Sequence, residues 1–498
     1  MQRVPLLSGS RLVVAGAADD ALVLRPPPPG RGTDAEAATL EALRFPLAGP
    51  SLELLTRGAS RATIVVQSPA LPLQSPTGDP RPRVIAAVSG ALESLGIPTR
   101  GQTLLVACGL ARRASQRDVT ALVTPEFARR FHGRVVVHNA ADPALVTVDE
   151  TEEPVLRVAP SLVETDLVVV LGAAETVLHG GPATLLAAAN AEAQRRATTD
   201  SLLETRGSEA WRLAARLERA LAKHVPVFGV SLLLNHPRTT GALRGYPYDA
   251  ETVERIASRS FRVAVSATPG PVRRSFLRSL RAERTTAGVL AGPPSVAHAE
   301  ALLRGIELKH ATLPAPLDAL VLAVPGSAPL LPRERPNPLT VTHAALAHSL
   351  ALWRDSFPVA DGGVVILVHD FRRVFARPTQ LPYLAFFGQT PIARGAELLA
   401  EAEAAVAADT RALESYRAGR TVHPLLPFRD WDACRPALKR IGSVYVAGAR
   451  DAAAARQLGF IPIGSVSAAL QMARGQQGPA ARVGFLLAPP YFPLKVGS

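Results

Sequence analysis

Short apolar runs rich in β-branched residues recur along this chain, each followed by a stretch with helical spacing. The first clear run is Ala62-Thr63-Ile64-Val65-Val66, and others cover residues 103–107, 134–138, 166–171 and 226–234. Between them lie helical patterns at 83–95, stopped by Gly96, at 117–131, followed by Gly133, and through 187–222. The alternation resumes after Gly288, with strand runs at 317–324, 364–368, 443–447 and 482–487 and helical stretches at 295–304, 339–353, 396–408 and 451–458. Strands that are apolar without alternation are buried on both faces, and helices between them supply the cover. The spacing therefore predicts an α/β fold with mostly parallel sheets. A length of 498 residues predicts two to four domains, at roughly 150 residues each. We expect an N-terminal extension over 1–45, a first unit over 46–287 and a second α/β unit over 288–498. Residues 236–285, rich in Arg, Ser and Pro, are expected to be an inserted hairpin or helix pair.

Composition narrows the function classes. No apolar run reaches the roughly 18 residues of a membrane span, and Met1-Gln2-Arg3-Val4-Pro5 opens no signal peptide. The expectation is a cytoplasmic protein with no membrane partner. Two cysteines, Cys108 and Cys434, leave no disulfide framework and no Cys-rich metal site. The net charge of +13 raises the question of nucleic acid. Lysine occurs only at 223, 309, 439 and 495, and the arginines are scattered in pairs such as Arg129-Arg130 and Arg195-Arg196. With 5% aromatic residues there is little to stack bases on, so no specific nucleic-acid partner is expected.

Several segments, in order, resemble one known family. They are Phe45-Pro46-Leu47-Ala48-Gly49-Pro50-Ser51-Leu52, Val137-His138-Asn139, Glu164-Thr165-Asp166-Leu167 and Val230-Ser231-Leu232-Leu233-Leu234-Asn235. They continue with Ala291-Gly292-Pro293-Pro294-Ser295-Val296-Ala297-His298, Leu458-Gly459-Phe460-Ile461-Pro462 and Tyr491-Phe492-Pro493-Leu494. Their order and spacing are similar to those of the nickel-dependent lactate racemases and related 2-hydroxyacid racemases and epimerases. The resemblance implies two α/β domains with the active site in the cleft between them. It also implies hydride transfer from the substrate α-carbon to a nickel-bearing pincer nucleotide. That chemistry uses a tethering Lys, a nickel-ligating His, two acid/base His and an Arg for the carboxylate. Histidine suits the acid/base role because it titrates near neutrality, and arginine suits a carboxylate because its planar fork meets both oxygens.

Position by position, those parts are replaced. The loop that carries the family's Arg reads Ser68-Pro69-Ala70-Leu71-Pro72, with Leu71 at the Arg position. The Gly-Phe-His-Arg motif reads Gly109-Leu110-Ala111-Arg112, so Ala111 stands for the first His while Arg112 matches. The Glu-Pro-His motif reads Glu175-Thr176-Val177, and the Gly-Gly-Arg-Lys-Ser motif reads Gly180-Gly181-Pro182-Ala183-Thr184. Val177 thus replaces the second His and Ala183 the tethering Lys. The nickel His is expected within 190–206, which contains no His.

Some polar groups remain. Glu175 and His179, with Arg112 as the matching residue of its motif, are candidates for proton chemistry or substrate contact. Gly180, Gly181 and Thr184 open a helix and are candidates for anion binding through free backbone N–H groups. His369-Asp370 follows a strand in the second unit, where open α/β sheets bind ligands. His138 reads as a structural hydrogen-bonding residue. His343 and His348 are five apart and do not share a face of an α-helix, and no metal site is expected. The favoured reading is a non-racemising descendant that binds a small carboxylate or a partner protein and uses no cofactor. The alternative is a divergent 2-hydroxyacid racemase or epimerase with a rebuilt site, for which the nickel-pincer nucleotide is the cofactor.

Overall fold

The computed structural model describes residues 2–67, 76–77, 79–279, 282–325, 334–389, 392 and 396–497. Two six-stranded sheets organise them. The first runs in the order Thr286–Gly292, Val227–Leu234, Leu167–Ala173, Ala62–Gln67, Gln102–Ala107, Arg134–Val137. All its neighbours are parallel except Thr286–Gly292, which lies antiparallel to Val227–Leu234. The second runs Ile461–Ile463, Ser443–Ala447, Val359–Val368, Leu317–Ala323, Val483–Leu486, Leu22–Leu24, all parallel.

The apolar runs explain this arrangement. Every residue of Leu167–Ala173 is buried. Successive side chains point to opposite faces. Leu167, Val169 and Leu171 therefore enter one core, and Val168 and Val170 the other. The same division separates Leu320 and Leu322 from Ala319, Val321 and Ala323 in the second sheet. The helix Glu209–Leu221 closes one face of the first sheet with Leu213, Leu217 and Leu221. Ser208 caps it by accepting a hydrogen bond from the Trp211 N–H at 3.2 Å. Among the described residues no helix is long and apolar enough to cross a membrane.

Three expectations differ from what is observed. First, residues 1–45 are not a separate extension. The hairpin Gln2–Ser8/Arg11–Ala17 packs Val4, Leu6, Ala15 and Ala17 onto Val321 and Ile366 of the second sheet, and Leu22–Leu24 forms that sheet's edge. Second, Gly288 falls inside Thr286–Gly292, so the first sheet continues past the expected boundary, and the helix Pro294–Lys309 covers it. Residues 236–285 form helices Ala250–Ala257, Arg259–Ala267 and Gly270–Ser279, and Val253 and Ile256 pack with the N-terminal hairpin. Third, the expected helix at 339–353 is a short α-helix, Pro338–Thr342, that continues as a π-helix, His343–Ser349. A π-turn bonds i to i+5, so residues five apart stack on one face. The His343 and His348 rings accordingly lie 4.8 Å apart, which the α-helical reading had excluded.

Candidate functional site

The parallel strands of the first sheet end together, and ligands in open α/β sheets bind beyond such ends. Gln67 closes its strand. Residues 108–111 follow Gln102–Ala107, and residues 174–179 follow Leu167–Ala173. Behind them stand the short helices Pro182–Leu186 and Ala191–Arg196. From the other side comes Leu426–Asp432, which carries Arg429. These elements border a small recess open to solvent, lined in part by Gln67, Cys108, Ala111, Val177, His179, Ala183, Gln194 and Arg429. Backbone bonds hold the two walls in place. The His423 N–H donates to the Leu110 carbonyl at 2.9 Å, and the Tyr416 hydroxyl donates to the Gly109 carbonyl at 3.2 Å. Arg195 on the first wall forks to Glu403 and Asp432 at 2.5 and 2.6 Å.

Ala111, Val177 and Ala183, which stand where the resemblance places two histidines and a lysine, all line this one recess. They present only methyl and isopropyl groups to it. The Ser68–Pro72 loop with Leu71 lies outside the described residues.

Of the proton-transfer candidates, only His179 lines the recess. Burial pushes its imidazole down to about 3; Glu175 pulls it up, while Arg429, His348 and Arg81 push it further down. The ring is therefore neutral at pH 7. Glu175 is committed elsewhere, with Oε1 accepting from Arg284 Nη1 at 2.7 Å, and both side chains are buried. Burial pushes its carboxyl up, but Arg284, Arg81 and Lys309 outweigh that and hold it at about 2. Arg112 pairs with Asp118 at 2.8 Å, and Asp118 completes a capping box with Ser115 at the helix Gln116–Ala121. His369 and Asp370 lie under the N-terminal hairpin, next to Gly9. The Phe371 N–H donates to His369 Nδ1 at 3.0 Å, and Asp370 pairs with Arg372 at 2.9 Å. This pair does not join His179. His138 is structural, with Nε2 2.9 Å from the Ala189 carbonyl.

The glycine pair has a packing reason. Gly180 and Gly181 have φ of +88° and +49°. A Cβ on Gly180 would stand 2.6 Å from His298 Cε1, and one on Gly181 2.6 Å from His298 Cγ. Of the three residues expected to hold an anion, Thr184 has its N–H bonded, to the Gly181 carbonyl at 3.1 Å. Thr184 Oγ1 is buried without a partner beside Gly172.

Sequence reasoning missed Arg429, Gln194 and Gln67. Gln194 lies in the very interval searched for a nickel ligand, and a search for histidine passes over it. Arg429 sits in a buried, largely apolar helix, and such a placement is itself a signal for a charged side chain. Behind it, Asp430 accepts a 2.5 Å hydrogen bond from the Tyr383 hydroxyl and lies 3.6 Å from His343 Nε2. Burial pushes Asp430 up to about 6. Among the described residues no group of three or more His, Cys, Asp or Glu is arranged to hold a metal.

A sequence model described as the lactate racemase N-terminal domain matches residues 12–180. No curated protein sequence matches the chain. The solved lactate racemase apoprotein from Thermoanaerobacterium thermosaccharolyticum is similar in fold, with a TM-score of 0.61 at 12% identity, covering 99% of this chain and 100% of that one. A Thermotoga maritima structure is similar at a TM-score of 0.50 and 12% identity, covering 94% of this chain and all of that one. Residues 12–180 thus match the lactate racemase N-terminal domain, and the fold likeness to the solved racemase runs the length of the chain.

Proposed function

We propose that the protein binds a small carboxylate in the recess at the strand ends and does not racemise it through a nickel-pincer nucleotide. One observation carries the reading: Ala111, Val177 and Ala183 meet in a single recess whose other wall holds the cation of Arg429. Alkyl groups transfer no protons, and the Ala183 methyl forms no covalent tether. The residues present do not fit the pincer group. A small anion is favoured over a partner protein because the cation sits inside a concavity and not on an open face. Rebuilt racemase chemistry would need a base on each face of the substrate carbon. His179 supplies one imidazole, and the lining residues include no second histidine or carboxylate opposite it.

The test is incubation of the purified full chain with D-lactate and with L-lactate, followed by chiral chromatography and thermal unfolding. The expected result is no interconversion, with a melting temperature that rises in the presence of small carboxylates. Turnover of either enantiomer into the other sinks the proposal.

A further inference from the structure

We infer that Arg429 is the anion anchor of the recess and that Gln194 reads a hydrogen-bond donor beside it, so the ligand is a short carboxylate bearing a neutral donor. The inference rests on the carboxylate-binding reading above and assigns it residues that the family resemblance does not.

Arg429 makes no direct ion pair, although the Asp430 carboxylate acts on it through space. Among the described residues no carboxylate lies within ion-pair distance of it and no acceptor takes a hydrogen bond from its guanidinium. The acids around it also face other groups. Asp430 accepts the Tyr383 hydroxyl on Oδ2, and its Oδ1 lies 3.6 Å from His343 Nε2. Asp432 and Glu403 hold Arg195, at 2.6 and 2.5 Å. Burial lowers the guanidinium's affinity for its proton, Asp430 and Tyr383 oppose this, and Arg195 adds to it. Arg429 is half-buried, so its guanidinium faces the recess, where an entering anion would meet it. A planar fork bonds two oxygens of a carboxylate or a phosphate at once, and a single cation beside a neutral imidazole favours the singly charged carboxylate.

Gln194 supplies the second half. Its side chain is 3% exposed. Nε2 donates to the Ala189 carbonyl at 2.7 Å, which fixes which end of the amide is which. Oε1 is left buried with no donor among the described residues, on the side of Gly109, where an added Cβ would stand 3.1 Å from it. Gln67 Oε1, at the end of its strand, is a second buried acceptor with no donor among the described residues. Both residues line the same recess as Arg429. A cation with two orphaned acceptors is complemented by an anion that carries donors. A charged ammonium is disfavoured as that donor, because no carboxylate lines the recess to offset it against Arg429. A hydroxyl or an amide N–H remains.

The experiment uses the full chain, with thermal unfolding in glycolate, acetate, inorganic phosphate and chloride at matched ionic strength. Glycolate offers a carboxylate and a hydroxyl, and acetate the carboxylate alone. Wild-type protein is expected to be stabilised most by glycolate, less by acetate, and no more by phosphate than by chloride. Arg429→Gln is expected to lose the response to both carboxylates, with at least about tenfold weaker apparent affinity. Gln194→Leu is expected to keep the acetate response and lose the advantage of glycolate. Should Arg429→Gln not fold, Arg429→Lys keeps the charge, lacks the fork, and is expected to lose most of the response. A carboxylate response that survives in the Arg429 variants overturns the anchor while leaving carboxylate binding intact. A larger response to phosphate than to glycolate overturns the ligand class. A wild-type protein indifferent to all four anions overturns both the anchor and the reading it rests on.

Discussion

Glu175→Ala is expected to lower the stability of the folded chain by about 3–5 kcal/mol, read as a fall in the urea midpoint. The Glu175–Arg284 contact is 2.7 Å and both side chains are 5% exposed, so water neither screens the pair nor replaces the lost partner. Arg81 and Lys309 also act on this carboxylate, and burial already pulls the Lys309 amine down to about 8. Removing the anion leaves Arg284, Arg81 and Lys309 with only Asp79 among the acids identified here, paired to Arg81. The effect depends on pH with a definite sign. Glu175 titrates at about 2 in the folded state against an ordinary 4.5, so its contribution is fully present above 4.5 and is lost as pH falls through about 2. The gap between wild type and Glu175→Ala should therefore narrow as pH drops from 4.5 to 2. A gap that stays constant across this window contradicts the assignment. Glu175 begins the segment that presents Val177 and His179, so this buried pair also fixes one wall of the recess.

Gly181→Ala is expected to destabilise by roughly 3–5 kcal/mol, combining overpacking of about 1–3 kcal/mol with backbone strain of about 1–3 kcal/mol. Its backbone sits at φ +49°, ψ −135°, a region that side chains avoid. The new methyl would lie 2.6 Å from His298 Cγ and 2.9 Å from the Pro294 carbonyl, both in or at the start of the helix Pro294–Lys309. His298 cannot swing aside freely, since its Nε2 is 2.9 Å from the Thr176 carbonyl. Gly207 is the control: its φ is +73°, but nothing lies within 4 Å of an added Cβ. Gly207→Ala isolates the backbone cost, expected at about 1 kcal/mol. If urea unfolding gives equal losses for the two substitutions, close packing against His298 is not why a glycine stands at 181.

The parallel sheets were legible because runs such as Val168-Val169-Val170-Leu171 carry no polar alternation, and that pattern has few other solutions. The N-terminal hairpin was not legible. Its partners, Val321 and Ile366, lie some three hundred residues away, and no local pattern points to them. The π-turn was hidden because helical spacing is read at 3.6 residues per turn, which separates His343 from His348. At the site, His179 was visible as a strand-end histidine. Glu175 was visible as a titratable residue, but its partner Arg284 is 109 positions downstream and turns it from a base into a buried anchor. Arg429 was the least legible of all. Its significance lies in which carboxylates are already engaged by Tyr383 and Arg195, and pairing of that kind exists only in three dimensions.

The most direct measurement is intact mass together with nickel content on the full chain, produced in a host that makes the nickel-pincer nucleotide. The expected result is the mass of the unmodified polypeptide and nickel far below one atom per chain. A covalent adduct with stoichiometric nickel would show that the recess around Ala183 still takes the cofactor, and would contradict the loss of pincer chemistry proposed here.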